Sequence, residues 1–125
     1  MKKIVLFLHG YGSNGNDLIS LKDHISIATP IEFISPNAPE PCELNFFGYQ
    51  WFALNERSFE ELTMGLSSAF NYLDDIINDI TDKYSVKSDQ ISIVGFSQGS
   101  MLATYYSLLK KTNFHSVVSL SCLLY

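Results

Sequence analysis

Four short apolar runs alternate with longer amphipathic segments along this chain. The apolar runs cover residues 3–8, 31–35, 90–94 and 116–121. Residues 16–28 and 58–84, which lie between these runs, carry apolar side chains at helical spacing. Buried strands that alternate with helices are typical of a parallel sheet joined by crossover helices. The pattern therefore predicts an α/β fold with about four parallel strands flanked by helices.

The segment 58–84 is the clearest helix in the sequence. It opens with Ser58 and Glu61 at capping-box spacing, and acidic and amide side chains occupy the face opposite its apolar stripe. We interpret that polar face as solvated rather than as a metal site. The predicted apolar stripe consists of Phe59, Leu62, Leu66, Ala69, Leu73, Ile77, Ile80 and Tyr84.

Residues 36–57 follow neither the strand period nor the helix period, and they are predicted to form the longest loop. Pro39 and Pro41 impose extended or turn geometry on its first part. Aromatic residues then crowd together, and an aromatic loop of this length usually has a function. Two interpretations stay open, namely a flap that covers the core and a wall that shapes a substrate pocket. The aromatic residues are Phe46, Phe47, Tyr49, Trp51 and Phe52.

The most specific chemical signal is a strand that continues directly into a helix through residues 95–99. This pentapeptide has the form G-x-S-x-G, which is the pattern of a nucleophile elbow, with Ser97 as the candidate nucleophile. Gly95 and Gly99 provide the small neighbours that so tight a turn requires. A Gly-Ser turn without any chemistry is the alternative interpretation.

A second glycine cluster follows the first predicted strand. Gly10, Gly12 and Gly15 match G-x-G-x-x-G, the fingerprint of dinucleotide-binding proteins. That fingerprint needs an acidic residue at the end of the next strand, whereas Glu32 opens that strand. We therefore favour a loop whose backbone N–H groups stabilise the oxyanion of an acyl-transfer intermediate. A dinucleotide-binding domain remains the weaker alternative.

Together these motifs resemble the phospholipase/carboxylesterase family of α/β-hydrolases, which includes acyl-protein thioesterases and bacterial carboxylesterases. The similar pieces occur in the family's order and span nearly the whole chain. They are Leu8-His9-Gly10-Tyr11-Gly12, Pro36-Asn37-Ala38-Pro39, Trp51-Phe52, Gly95-Phe96-Ser97-Gln98-Gly99-Ser100 and Leu120-Ser121-Cys122.

The resemblance implies a serine hydrolase of carboxylic esters or thioesters that needs no cofactor and no metal. It implies that Ser97 is the nucleophile and that the backbone amides of Tyr11 and Gln98 form the oxyanion hole. The expected strand order is second, first, third, fourth, with right-handed crossovers. The aromatic loop is expected to shape the acyl pocket through Phe46, Phe47, Trp51 and Phe52.

The sequence departs from the family where the catalytic acid and base should follow. After Ser97 it contains no Asp or Glu and a single histidine, His115. Elbow hydrolases place their triad in the order Ser, acid, His, so we expect a single, C-terminally incomplete hydrolase domain with esterase activity near background. No histidine is a favoured substitute base. His9 is expected to stabilise its loop, His24 to be solvated, and His115 to lie at the opposite end of the sheet.

Composition limits the remaining functions. With 125 residues, 46% of them apolar, the chain has room for one domain with a real core. A net charge of −5 without a basic run argues against nucleic acid as a partner. The first apolar run is too short for a signal peptide, and no segment has the length of a membrane span. Cys42 and Cys122 lack metal spacing and are expected to be free thiols in the cytoplasm.

The expected ligand is a small-molecule or acyl-chain ester. The uncharged edge formed by residues 116–125 also resembles a template for another strand. We therefore expect either a second polypeptide that supplies the missing half or self-association through this edge. The alternative to an enzyme is a non-catalytic remnant or binding module with the same fold.

Overall fold

The computed structural model describes residues 3–19, 31–42, 45–52, 58–110 and 113–120. Within these ranges a parallel sheet is flanked by helices, which confirms the predicted α/β fold. In chain order the elements are β1 Lys3–Leu8, α1 Gly15–Ile19, β2 Ile31–Ile34, β3 Glu40–Cys42, β4 Asn45–Gln50, α2 Phe59–Tyr84, β5 Ile91–Phe96, α3 Gln98–Leu109 and β6 Ser116–Leu120.

The main sheet has the strand order β2-β1-β5-β6, and every neighbouring pair is parallel. This is the order that the sequence predicts. Leu8 pairs with Gly95, and Phe96 pairs with Leu120, so the carboxyl ends of three strands meet along one rim. The segments that follow β1 and β5 carry the two glycine motifs. Parallel topology therefore brings those motifs together at that rim.

The prediction of a loop over residues 36–57 is wrong in its middle part. Strands β3 and β4 form an antiparallel hairpin whose register shifts between Pro41 and Cys42. Pro41 concealed the first strand, because proline is tolerated only at an edge or a bulge, and this hairpin has only two strands. Backbone hydrogen bonds fasten the hairpin to the first glycine motif: Gly12 N donates to Tyr49 O at 2.9 Å, and Tyr49 N donates to Ser13 O at 2.8 Å.

Helix α2 begins after Ser58, whose hydroxyl accepts a hydrogen bond from Glu61 N at 3.1 Å, as capping predicts. Most of its predicted apolar stripe is buried against the sheet. Phe59 is the exception, because this first residue of the helix is 76% exposed. Tyr84, at the other end, is half-buried. The buried members are Leu62, Leu66, Ala69, Leu73, Ile77 and Ile80.

The core lies on the two central strands. Leu6, Leu8, Ile91 and Ile93 are completely buried, whereas β6 is exposed along most of its length at the edge of the described sheet. Helix α1 begins one residue before the predicted start, and the predicted helical residues after Ile19 lie outside the described residues. In the described ranges, no helix has both the length and the apolar character needed to cross a bilayer.

Candidate active site

Ser97 lies in the turn between β5 and α3, with its side chain exposed at the rim. Its backbone has φ 51° and ψ −113°, a conformation that L-residues rarely adopt. The turn is held in place because Ser97 N donates to Leu120 O at 2.9 Å and Ser97 O accepts from Met101 N at 3.0 Å. A strained, exposed serine on a strand-to-helix turn is the geometry of a nucleophile elbow.

The glycines on either side of Ser97 allow the chain to turn back so closely. A Cβ atom on Gly95 would lie 2.5 Å from Gly99 O, inside the fold of strand and helix. A Cβ atom on Gly99 would lie 2.2 Å from Leu8 O, where α3 touches the end of β1. The first glycine thus permits the turn, and the second permits contact between the elbow and the loop that follows β1.

That loop lies directly against the elbow. A Cβ atom on Gly10 would be 3.3 Å from Ser97 Cβ, so the two motifs are in contact. Gly12 has φ 79°, which suits glycine, and Ser13 N donates to Gly10 O at 3.1 Å. Tyr11, whose amide is the expected oxyanion donor, is half-buried between these glycines.

Gly15, the third glycine of the G-x-G-x-x-G pattern, allows close packing. A Cβ atom on Gly15 would lie 2.1 Å from Ser35 O, and Gly15 N donates to Asn37 Oδ1 at 2.8 Å. Glu32 pairs with Ile4, near the start of β1 and at the far end of the strand from this loop. Close contact between the loop and the segment after β2 accounts for this glycine without a phosphate.

The two described histidines do not offer a base to Ser97. His9 is fully buried, and its Nε2 accepts from Ala38 N at 2.9 Å. The ring proton is therefore on Nδ1, which donates to Gly10 O at 2.8 Å, so both ring nitrogens are occupied. His115 N donates to Ile91 O at the start of β5, which is the end of the sheet opposite the elbow. His24 lies outside the described residues.

The Trp51-Phe52 segment is bound to the elbow by a contact that sequence analysis missed. Gln98 Oε1 accepts from Trp51 N at 2.7 Å, and Gln98 Nε2 donates to Phe52 O at 2.8 Å. The Trp51 indole donates to His9 O at 2.8 Å. The only signal in the sequence was a glutamine directly after the candidate nucleophile. The side chain of Gln98 therefore connects the elbow to the Trp51-Phe52 segment.

The expected acyl-pocket residues have different environments. Trp51 and Phe52 are each only 1% exposed, so their side chains belong to the core. Phe52 also borders a cavity of about 390 Å³ whose wall includes Glu40, Met64 and Gly65. Phe46 and Phe47 lie on β4, but their side chains are outside the described part of the structure.

Further along α3, a polar cluster joins this helix to α2. The Tyr106 hydroxyl donates to Asp74, and Lys110 forms an ion pair with the same carboxylate at 3.4 Å. Burial, followed by the adjacent Asp74, raises the pKa of Tyr106 above its usual range. Cys42 is a buried free thiol, and Cys122 lies outside the described residues.

Comparison with known proteins places this geometry in a family. The profile of the phospholipase/carboxylesterase family matches residues 1–125. Acyl-protein thioesterase 1 of Candida albicans and that of Saccharomyces cerevisiae are each 30% identical to the chain over 131 residues. Both alignments cover 96% of this chain, but only 56% and 57% of the respective relatives.

A solved structure extends the similarity to the fold. The crystal structure of esterase PE8 superposes with a TM-score of 0.88 at 34% identity, and it covers 98% of this chain and 58% of the esterase. The chain therefore spans little more than half the length of each of these relatives. With the family profile matched from residue 1 to residue 125, the chain belongs to the phospholipase/carboxylesterase family of α/β-hydrolases.

Proposed function

We propose that this chain carries the nucleophile and the oxyanion hole of a serine hydrolase that acts on carboxylic esters or thioesters. The supporting observation is the exposed Ser97, held at φ 51° in contact with the loop at Gly10. In the proposed reaction Ser97 Oγ attacks the acyl carbon and loses its proton to a base, and the ester C–O or thioester C–S bond breaks. The leaving alcohol or thiol takes up a proton, and water then hydrolyses the acyl-serine.

Two backbone amides are proposed to stabilise the oxyanion formed in this attack. Gln98 is the first residue of α3, and the first N–H groups of a helix have no partner within the helix. The positive end of the helix dipole favours negative charge at the same position. Tyr11 belongs to the loop that contacts Ser97 through Gly10, which supports its role as the second donor.

The substrate class follows from the relatives' names, since they are acyl-protein thioesterases and an esterase. We propose an acyl ester or acyl thioester whose acyl chain binds beside the Trp51-Phe52 segment, with Phe46 and Phe47 completing the pocket. We also propose a cytoplasmic location, supported by the free Cys42 thiol, because a reducing compartment keeps thiols unpaired.

The acid and the base are proposed to come from another segment, because His9 is saturated with hydrogen bonds and His115 lies at the opposite rim. The exposed strand β6 is the proposed docking edge for that segment, since Val118 and Leu120 both face solvent. The segment can belong to the same protein or to a second polypeptide. Residues 1–125 form one hydrolase domain in this proposal.

Labelling with a fluorophosphonate tests the role of Ser97. We expect labelling when the chain is co-expressed with the downstream reading frame that would supply the base, and equally with the control Ser67→Ala, which removes an exposed serine on α2, but no labelling with Ser97→Ala. Absence of label in the co-expressed complex would instead favour a non-catalytic binding module with the same fold.

Hydrolysis of a chromogenic butyrate ester tests whether the chain lacks its catalytic base. Removal of triad members lowers the rate roughly 10⁴-fold to 10⁶-fold, so we expect the 125-residue chain to hydrolyse the ester near background, with only the residual catalysis that oxyanion stabilisation supplies. Co-expression with the downstream reading frame should restore activity and yield a larger species on size exclusion. Full activity of the chain alone, abolished by Ser97→Ala, would contradict the proposed external base.

A further inference from the structure

The side chain of Gln98 makes contacts that the turn at Ser97 does not require. It is 2% exposed, and its carboxamide pairs with the backbone of two consecutive residues, Trp51 and Phe52. A carboxamide can accept and donate hydrogen bonds at the same time without carrying charge. Both contacts are short and buried, and a buried hydrogen bond of this kind is costly to leave unmade.

The contacts continue from Trp51 to the loop that carries the expected oxyanion donor. The Trp51 indole N–H donates to His9 O at 2.8 Å, and its ring centroid lies 5.2 Å from that of His9. The His9 ring bonds in turn to Gly10 O and to Ala38 N. A continuous series of side-chain contacts therefore connects the elbow to the residue just before Tyr11.

The loop is thus fixed at both ends by different parts of the same hairpin region. Tyr49 fixes the far end through its backbone bonds to Gly12 and Ser13. Trp51 fixes the near end at His9, and Trp51 itself depends on Gln98. Removal of the Gln98 carboxamide should release the near end while the far end stays attached.

We propose that Gln98 is a positioning residue for acyl transfer, and that its side chain holds the oxyanion loop against Ser97 through Trp51. This inference rests on the proposed serine hydrolase function. The backbone amide of Gln98 supplies one oxyanion donor, and its side chain sets the position of the other. A displacement of about 1 Å in such a site can cost roughly 100-fold in rate.

The test compares two buried glutamines. Gln98→Met keeps the length of the side chain but leaves Trp51 N–H and Phe52 C=O unpaired. Gln50→Met is the matched control, because Gln50 is also 2% exposed and bonds only to Glu40 in the described contacts, with its Oε1 unpaired. Trp51 is the only tryptophan in the sequence, so intrinsic fluorescence reports directly on the proposed contact.

We expect Gln98→Met to shift Trp51 emission to longer wavelength and to increase its quenching by acrylamide, whereas Gln50→Met does neither. Hydrogen exchange should accelerate in residues 9–13 and 51–52 but not in β1 or β5. If Gln98→Met only destabilised the whole fold, hydrogen exchange would accelerate throughout the sheet. Unchanged emission, or exchange that rises uniformly, would overturn the proposal.

Fluorophosphonate kinetics, measured on the chain co-expressed with the downstream reading frame, separate binding of the reagent from its reaction with Ser97. The maximal rate of labelling should fall about 10-fold to 100-fold in Gln98→Met, while the reagent concentration for half-maximal rate changes little. Labelling at the native rate would overturn the positioning role even if fluorescence shifts. If the native co-expressed complex does not label at all, the proposed function fails, and the exchange data alone decide whether Gln98 holds the loop.

Discussion

Substitution of Gly99 by alanine should destabilise the protein, although the same change inside a helix usually stabilises. Gly99 lies in the first turn of α3, and Gly12 is the only described glycine with a positive φ. Alanine therefore suits the backbone conformation of Gly99, and helix propensity alone would favour it by about 1 kcal/mol. The change in stability therefore depends on which atoms the new methyl group contacts.

The methyl group would lie 2.2 Å from Leu8 O and 2.6 Å from His9 O, whereas ordinary contacts begin near 3.4 Å. Helix α3 and the end of β1 must therefore separate by about 1 Å, and neither partner is a flexible side chain. Overpacking of a core costs about 1–3 kcal/mol, and a backbone-to-backbone clash belongs at the upper end of that range. Subtraction of the helix-propensity gain leaves a net loss of about 2 kcal/mol.

Thermal unfolding followed by circular dichroism measures this loss. For a domain of this size 1 kcal/mol corresponds to about 4 °C, so the Tm of Gly99→Ala should fall by about 8 °C. Gly10→Ala is the control, because its methyl group would be 3.3 Å from Ser97 Cβ, only slightly inside ordinary contact, and should cost less than Gly99→Ala. A Tm for Gly99→Ala equal to or above the native value would refute the steric argument.

Two further substitutions test strain and burial. Ser97→Gly should raise the free energy of unfolding by about 1 kcal/mol relative to Ser97→Ala in urea titrations, because glycine relieves the strain at φ 51°; equal stabilities would contradict strain at the elbow. Tyr106→Phe should lower stability at neutral pH by about 1 kcal/mol through loss of the bond to Asp74. Since the folded state raises the pKa of Tyr106, its neutral phenol stabilises the fold below its ordinary pKa of about 10, and that contribution is lost as the pH rises further. Urea titrations at increasing alkaline pH should therefore show a shallower loss for Tyr106→Phe than for the native chain.

The sheet was predictable because parallel strands are buried on both faces. Residues 3–8 and 90–94 appear in the sequence as uninterrupted apolar runs, and the structure places strands there within two residues. The hairpin was not predictable in this way, because Pro41 interrupts one strand and its pairing shifts at that point. Phe59 followed the helical period but lies at the first position of α2, where the sheet no longer covers it.

The motifs of the candidate site could be found in the sequence, but the hydrogen bonds that connect these motifs could not. The G-x-S-x-G pattern predicts a tight strand-to-helix turn at Ser97, because such a turn requires those residue types at that spacing, and the structure has this turn. The contacts of Gln98 and Trp51 join residues 47 and 42 positions apart, so no local pattern contains them. The sequence contains both partners, Gln98 in the elbow motif and Trp51 in the Trp51-Phe52 pair, but it does not show that they are in contact.

This network suggests an order of assembly for the catalytic machinery. The elbow, the glycine loop and the Trp51-Phe52 segment are connected by hydrogen bonds among described residues only, so their arrangement does not require the acid or the base. Oxyanion stabilisation survives removal of a triad in other serine hydrolases and still accelerates the reaction roughly 10³-fold to 10⁴-fold over water. In the proposed reaction, the described part of the chain would hold the tetrahedral adduct at Ser97, and the segment proposed to dock on β6 would contribute proton transfer.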